Sequence, residues 1–361
     1  MNKRSDTFEQ MRIIALFMII LGHCVLATGQ NTDPLLGSLD NIGWSIKAFT
    51  ICGVNLFFLL SGYFARSDHF RFGKVAGIWF KTVFYSVAVY ILILLTGSSL
   101  SIRDGISFLF PVFTGKYWFM QVYIVLALIA PFIALGLEKL SNRKLNVLVA
   151  ILIVFFSLHE TFVKVAMTLD QTQGYGFIWG CVMFIVGYWL HRNIGVICRF
   201  KTALYMICYF VISICIFVSN YVIVKYNIAG GVSSRGNFYA YDSITVFIQS
   251  VSLFCFFAKL AEENKKSFGG GIIGFFSRNT LAGYLISAHP LLLYPLWTKY
   301  LKMDHYARNP ALYLVFAVVL SIAVLIACIM IDKALDWVLK KMKTERIFGG
   351  IDEFFSKMVN A

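Results

Sequence analysis

Charge is scarce in this chain: Asp, Glu, Lys and Arg make up 14% of its 361 residues, against 59% hydrophobic. A soluble domain is about one-quarter charged, and the apolar surplus here exceeds what one water-surrounded core of this length hides. Carboxylates are the rarer sign, 18 against 32 Lys and Arg. None falls deep in the long apolar runs delimited below, so no Asp or Glu is expected to orient a buried histidine in a triad. Metal-ligand patterns are missing too. The six His are scattered, and the eight Cys (Cys24, Cys52, Cys181, Cys198, Cys208, Cys215, Cys255 and Cys328) form no CxxC pair. That excludes a recognisable metal site and a disulfide framework, and the cysteines read as free, packed thiols. Internal repeats, low-complexity tracts and a second soluble domain are also lacking.

What the chain does have is hydrophobic runs of membrane length. A helix rising 1.5 Å per residue needs roughly 20 apolar residues to cross about 30 Å of hydrocarbon. Such spans are predicted at 12–29, 43–65, 75–96, 118–137, 145–158, 175–190, 202–224, 242–260, 280–297 and 311–331. The fifth and sixth are short enough to be tilted or re-entrant. The expected fold class is all-α: a polytopic transmembrane helical bundle of about ten helices. The charged start MNKRSDTFEQMR before an apolar run is superficially like a secretory signal. It precedes no convincing small-residue cleavage site, so the first segment reads as a retained helix.

The formal net charge of +14 does not point to nucleic acid, because the basic residues sit in short clusters between spans. Twenty-two of the 32 Lys and Arg fall on one side of the predicted bundle and eight on the other, with Lys47 and Lys81 inside spans. This asymmetry orients both termini to the cytoplasm. The two intraspan lysines can snorkel to the interface and need no further role. The domain reading is a membrane domain over 1–331 followed by a basic cytoplasmic tail over 332–361.

Arg12 and His23 stand eleven residues apart, three helical turns plus about 20°, so they share one stripe of the first helix. That spacing covers roughly 16 Å, from the cytoplasmic headgroup level to mid-membrane. An ionisable group at that depth is a functional candidate. The plainer alternatives are a positive-inside anchor for Arg12 and an interhelical hydrogen bond for His23.

The stretch Arg12-Ile-Ile-Ala-Leu-Phe-Met-Ile-Ile-Leu-Gly-His23 resembles the R-x10-H signature of the acyltransferase family 3 membrane proteins, which modify surface glycans. Three further segments resemble that family in order: NLFFLLSGY (55–63), YWFMQVYIVLALIAP (117–131) and GYLISAHP (283–290). The resemblance thus covers residues 12 to 290. The segment after the second helix, RSDHFRFGK (66–74), is poorer in arginine than is common in the family, and the hydrolase-like domain of some relatives is missing.

The resemblance implies a multi-pass enzyme of the cell membrane that moves an acyl group, most often acetyl, from acyl-CoA to a hydroxyl of a glycan or lipid-linked saccharide. Histidine suits the chemistry, because a sugar hydroxyl needs a positioned base and an unperturbed pKa of about 6.5 leaves imidazole largely neutral. His23 is therefore expected to be the general base, or alternatively to carry a covalent acyl group. Arg12, Arg66, Arg71 and Lys74 are the candidate contacts to the CoA phosphates. His289, Trp118, Tyr123 and Asn55 are candidates for the acceptor's route, although packing glue or an aromatic belt would explain each of them equally. Ser61 and Gly62 suit close helix packing better than nucleophilic chemistry. The competing reading is a transporter or flippase of a lipid-linked saccharide, which has no need of Arg12 and His23 on one stripe.

Overall fold

A computed structural model describes residues 6–29, 38–68, 72–163, 172–226, 228, 238–263, 276, 279–306, 309–341 and 349–354. Among these there is no β-strand, and the helices follow the apolar runs. α1 spans Asp6–Ala27, with Asp6 and Glu9 in its first turn, where acidic side chains suit the positive end of the helix dipole. α2 (Ser38–Thr50) and α3 (Gly53–Tyr63) meet at a two-residue turn and together cross as one span. α4 (Phe72–Leu95) leads through the short α5 (Ile102–Leu109) to α6 (Trp118–Glu138). α7 (Asn142–Ile153) continues through a π-helical turn to Phe162. α8 (Phe177–Arg192), α9 (Thr202–Lys225) and α10 (Ile244–Glu263) follow, then α11 (Thr280–Ser287) and α12 (Pro310–Lys341).

Eight of the described helical segments are long and apolar enough to cross a membrane, with α8 a shorter ninth. The surface agrees with a lipid solvent: Leu92, Phe210, Ile214, Val315 and Val319 all point outward, roughly half exposed. The expected ninth span is broken. α11 ends at Ser287, and a turn at 288–292 separates it from the helical stretch 293–300. Pro290 lies in that turn, where its missing N–H and its restriction of His289 make a break cheap.

The Ser61–Gly62 motif explains the tightest crossing. Gly62 faces the carbonyl of Phe184 on α8, and Gly187 of α8 faces the carbonyl of Leu59 on α3; a Cβ at either position would overlap that oxygen. Two glycines thus let α3 and α8 backbones touch reciprocally, the small-residue device of membrane helices. Ser61 turns its hydroxyl back to the Phe57 carbonyl at 2.8 Å. α1 lies at the middle of the bundle and packs against α2, α3, α10, α11 and α12. It is the helix best placed to present side chains to an interior cavity.

Candidate active site

A cavity of about 680 Å³ opens along α1, within the size range of small-molecule sites. Arg12, Leu16 and Ile19 line it from α1, in the i, i+4, i+7 register of one stripe. His23 is the next position of that stripe, half-buried, one turn beyond Ile19. Tyr284 of α11 links the two, since it lines the cavity and its ring centroid lies 6.4 Å from that of the imidazole. The Nδ1 atom of His23 is 3.4 Å from the Ser287 hydroxyl, a long contact. Nε2 has no hydrogen-bond partner among the described residues. In the tautomer whose Nδ1–H donates to Ser287, Nε2 presents its lone pair, the form a proton acceptor needs.

At the other end of the stripe the wall is charged. Arg12, Lys74, Lys81 and Lys340 line the cavity together with Asp336 and Asp352, four basic groups against two acidic. Arg12 pairs with Glu9, one turn before it and buried. A guanidinium has five N–H donors, so one carboxylate oxygen orients it without consuming it.

The other expected site residues divide. Tyr123 lines the cavity beside Phe119. Arg66 does not line it; it is exposed and forked onto Asp68 at 2.9 and 2.7 Å, a partner that holds its guanidinium above the ordinary arginine value. Arg71 lies outside the described residues. Asn55 is fully buried: its Nδ2 donates to the Tyr241 carbonyl and the Ser250 hydroxyl, and its Oδ1 accepts from Trp179 Nε1 at 3.0 Å. Trp118 packs with Tyr175 and Tyr241, at centroid distances of 4.6 and 5.6 Å. His289 is fully buried away from the cavity. Its Nε2–H donates to the Ser86 carbonyl at 3.1 Å, its Nδ1 accepts from Leu291 N–H, and its ring stacks on Phe108.

One expectation is overturned, and two buried carboxylates just outside the expected spans were passed over. Asp332 is a carboxylate with no solvent exposure, inside a helix that runs ten residues past the expected end at 331, and Glu9 is buried in α1. Lys81 does not simply snorkel; it bridges Asp332 (3.0 and 2.9 Å) and Asp336 (2.7 Å). A carboxylate can be buried inside the protein when a cation and hydrogen-bond donors from other helices surround it, which a hydropathy reading cannot register. Sequence reasoning also passed over Tyr284 and Ser287, although both lie in the GYLISAHP segment, three residues apart on one helix face.

Among the described residues no group of His, Cys, Asp and Glu has the arrangement to hold a metal ion. No curated protein and no solved structure matches this chain. Residues 6–331, nearly the whole chain, match the acyltransferase 3 family, described as an acyltransferase domain. That match takes in α1 with its stripe, the cavity wall of α4 and α11, and most of α12. The chain, a multi-pass membrane protein, therefore belongs to the acyltransferase 3 family.

Proposed function

We propose that this membrane acyltransferase moves an acyl group, acetyl above all, from acyl-CoA to a hydroxyl of a cell-surface glycan or lipid-linked saccharide. It would sit in the cell membrane with both termini in the cytoplasm, so that Arg12 and Lys74 meet a cytoplasmic donor. The observation that carries this reading is the single stripe of α1 on which Arg12, Leu16 and Ile19 line one cavity and His23, the next position, stands one turn beyond that lining. Arg12 and Lys74 supply charge-assisted hydrogen bonds for the CoA phosphates. The arm of the donor then follows Leu16 and Ile19 toward Tyr284.

In the transfer step, Nε2 of His23 takes the proton of the acceptor hydroxyl as its oxygen attacks the thioester carbonyl. A C–O bond forms and the C–S bond breaks. The thiolate that leaves recovers the proton from the imidazolium and departs as CoA-SH. A covalent acyl-His intermediate reaches the same products in two steps. The test is CoA-thiol release from acetyl-CoA by purified protein in native-lipid nanodiscs, wild type beside His23→Ala. The reading expects release by the wild type and its loss, by about 100-fold or more, in the variant. Equal release by both would remove His23 from the chemistry, and none from either would favour a transporter.

A further inference from the structure

α11 is only eight residues long, yet it carries both side chains that reach His23, Tyr284 and Ser287. Two turns of helix make few internal hydrogen bonds and cannot hold a fixed orientation unaided. Its start is tied to α12 and, through α12, to α4; its end is tied to α4 directly. At the start, Asn279 stands at the N-cap, 2% exposed, and its amide nitrogen donates to Asp332 (2.6 Å) and Asp336 (2.7 Å). Asp332 also accepts from Lys81 on both oxygens and from Tyr85 at 2.8 Å; Lys81 and Tyr85 belong to α4. Four hydrogen bonds fill the four lone-pair sites of that carboxylate. Just past the other end, His289 donates to the Ser86 carbonyl, again on α4.

We propose that these two anchors form a clamp that positions the catalytic imidazole: the Lys81–Asp332–Asn279 network and the His289–Ser86 bond hold α11 so that Ser287 and Tyr284 meet His23. Asn279, Asp332, Lys81 and His289 are positioning residues on this reading, which rests on His23 acting in acyl transfer. Stability alone is a poor reason for the network, because well-packed apolar residues replace a buried ion pair at little cost. Charged side chains within membrane-spanning helices are rare unless they serve function.

The experiment compares wild type with Asn279→Ala, Lys81→Arg and the double variant Lys81→Met/Asp332→Leu, in detergent and in nanodiscs. Asn279→Ala leaves the ion pair in place, so folding is expected to survive it. Hydrogen–deuterium exchange of the peptide over 279–289 reads the clamp without turnover, and CoA release from acetyl-CoA reads positioning. The clamp expects exchange to speed about tenfold in Asn279→Ala and in the double variant. It expects kcat to fall about tenfold or more in both, with the acetyl-CoA KM within about threefold in Asn279→Ala, whose side chain does not line the cavity, as misplacing a catalytic group does. Lys81→Arg, which keeps the charge, should keep wild-type exchange over 279–289. The double variant should recover the wild-type Tm without recovering kcat.

Wild-type exchange in Asn279→Ala overturns the clamp. So does a kcat that returns with Tm in the double variant, which would leave the network a stability element only. A raised KM at unchanged kcat in Asn279→Ala also overturns it, by placing the network in donor binding. If the wild type releases no CoA while exchange responds as expected, the acyl-CoA reading fails and the clamp on α11 stands.

Discussion

His23 and His289 are both imidazoles on apolar segments, and their surroundings assign them different work. His289 spends both nitrogens on backbone groups and stacks on Phe108, so its ring has no proton left to exchange with a substrate. His23 has one long contact and a ring nitrogen without a partner among the described residues. A base must be neutral to accept a proton, so with His23 as the proposed base kcat/KM should fall once acid protonates the imidazole and level off above that pH. A rate profile without an acid limb would speak against His23 as the base. Arg12 offers a sharper contrast. Arg12→Lys keeps the charge but loses the fork, and the acetyl-CoA KM should rise about tenfold, the worth of one charge-assisted hydrogen bond. Asn55 is a candidate for the acceptor's route whose bonded neighbours predict a contribution to stability. Asn55→Ala strands Trp179 Nε1 and should lower stability by about 1–3 kcal/mol, read as a drop in Tm of the detergent-solubilised protein.

At the scale of elements, most helices were legible because hydrophobicity and helical period are local properties of a sequence. The expected 118–137 and 202–224 appear as α6 and α9 within a residue at each end. α12 was legible only to 331, because the reading stops at the first charge and Asp332 is buried by partners elsewhere in the chain. The break after α11 had a signal in Pro290, but a long apolar stretch outweighed it. The α3–α8 crossing follows from glycine alone: Gly62→Ala or Gly187→Ala should cost about 1–3 kcal/mol by overpacking, measured as lost Tm or lost folded yield. Full tolerance of alanine at both sites would show that the two backbones do not meet as closely as described.

For the whole molecule, a cavity wall with four basic and two acidic groups makes an electrostatic prediction. Salt screens exposed charges beyond about 10 Å at 0.1 M, so the acetyl-CoA KM should rise with NaCl while kcat holds. Orientation is tested by a single cysteine placed at Ala361, which should react with an impermeant maleimide only after the cytoplasmic face is opened. By itself the sequence determined the solvent, the approximate spans, the Arg12–His23 stripe and the family resemblance, since each depends on composition or on spacing within one helix. Tertiary structure alone decided which polar groups meet. Lys81 and Asp332 are 251 positions apart, and His23 and Ser287 are 264. Whether a buried charge is tolerated, or a histidine ring nitrogen left without a partner, depends on partners that folding brings from such distances, and no local pattern records them.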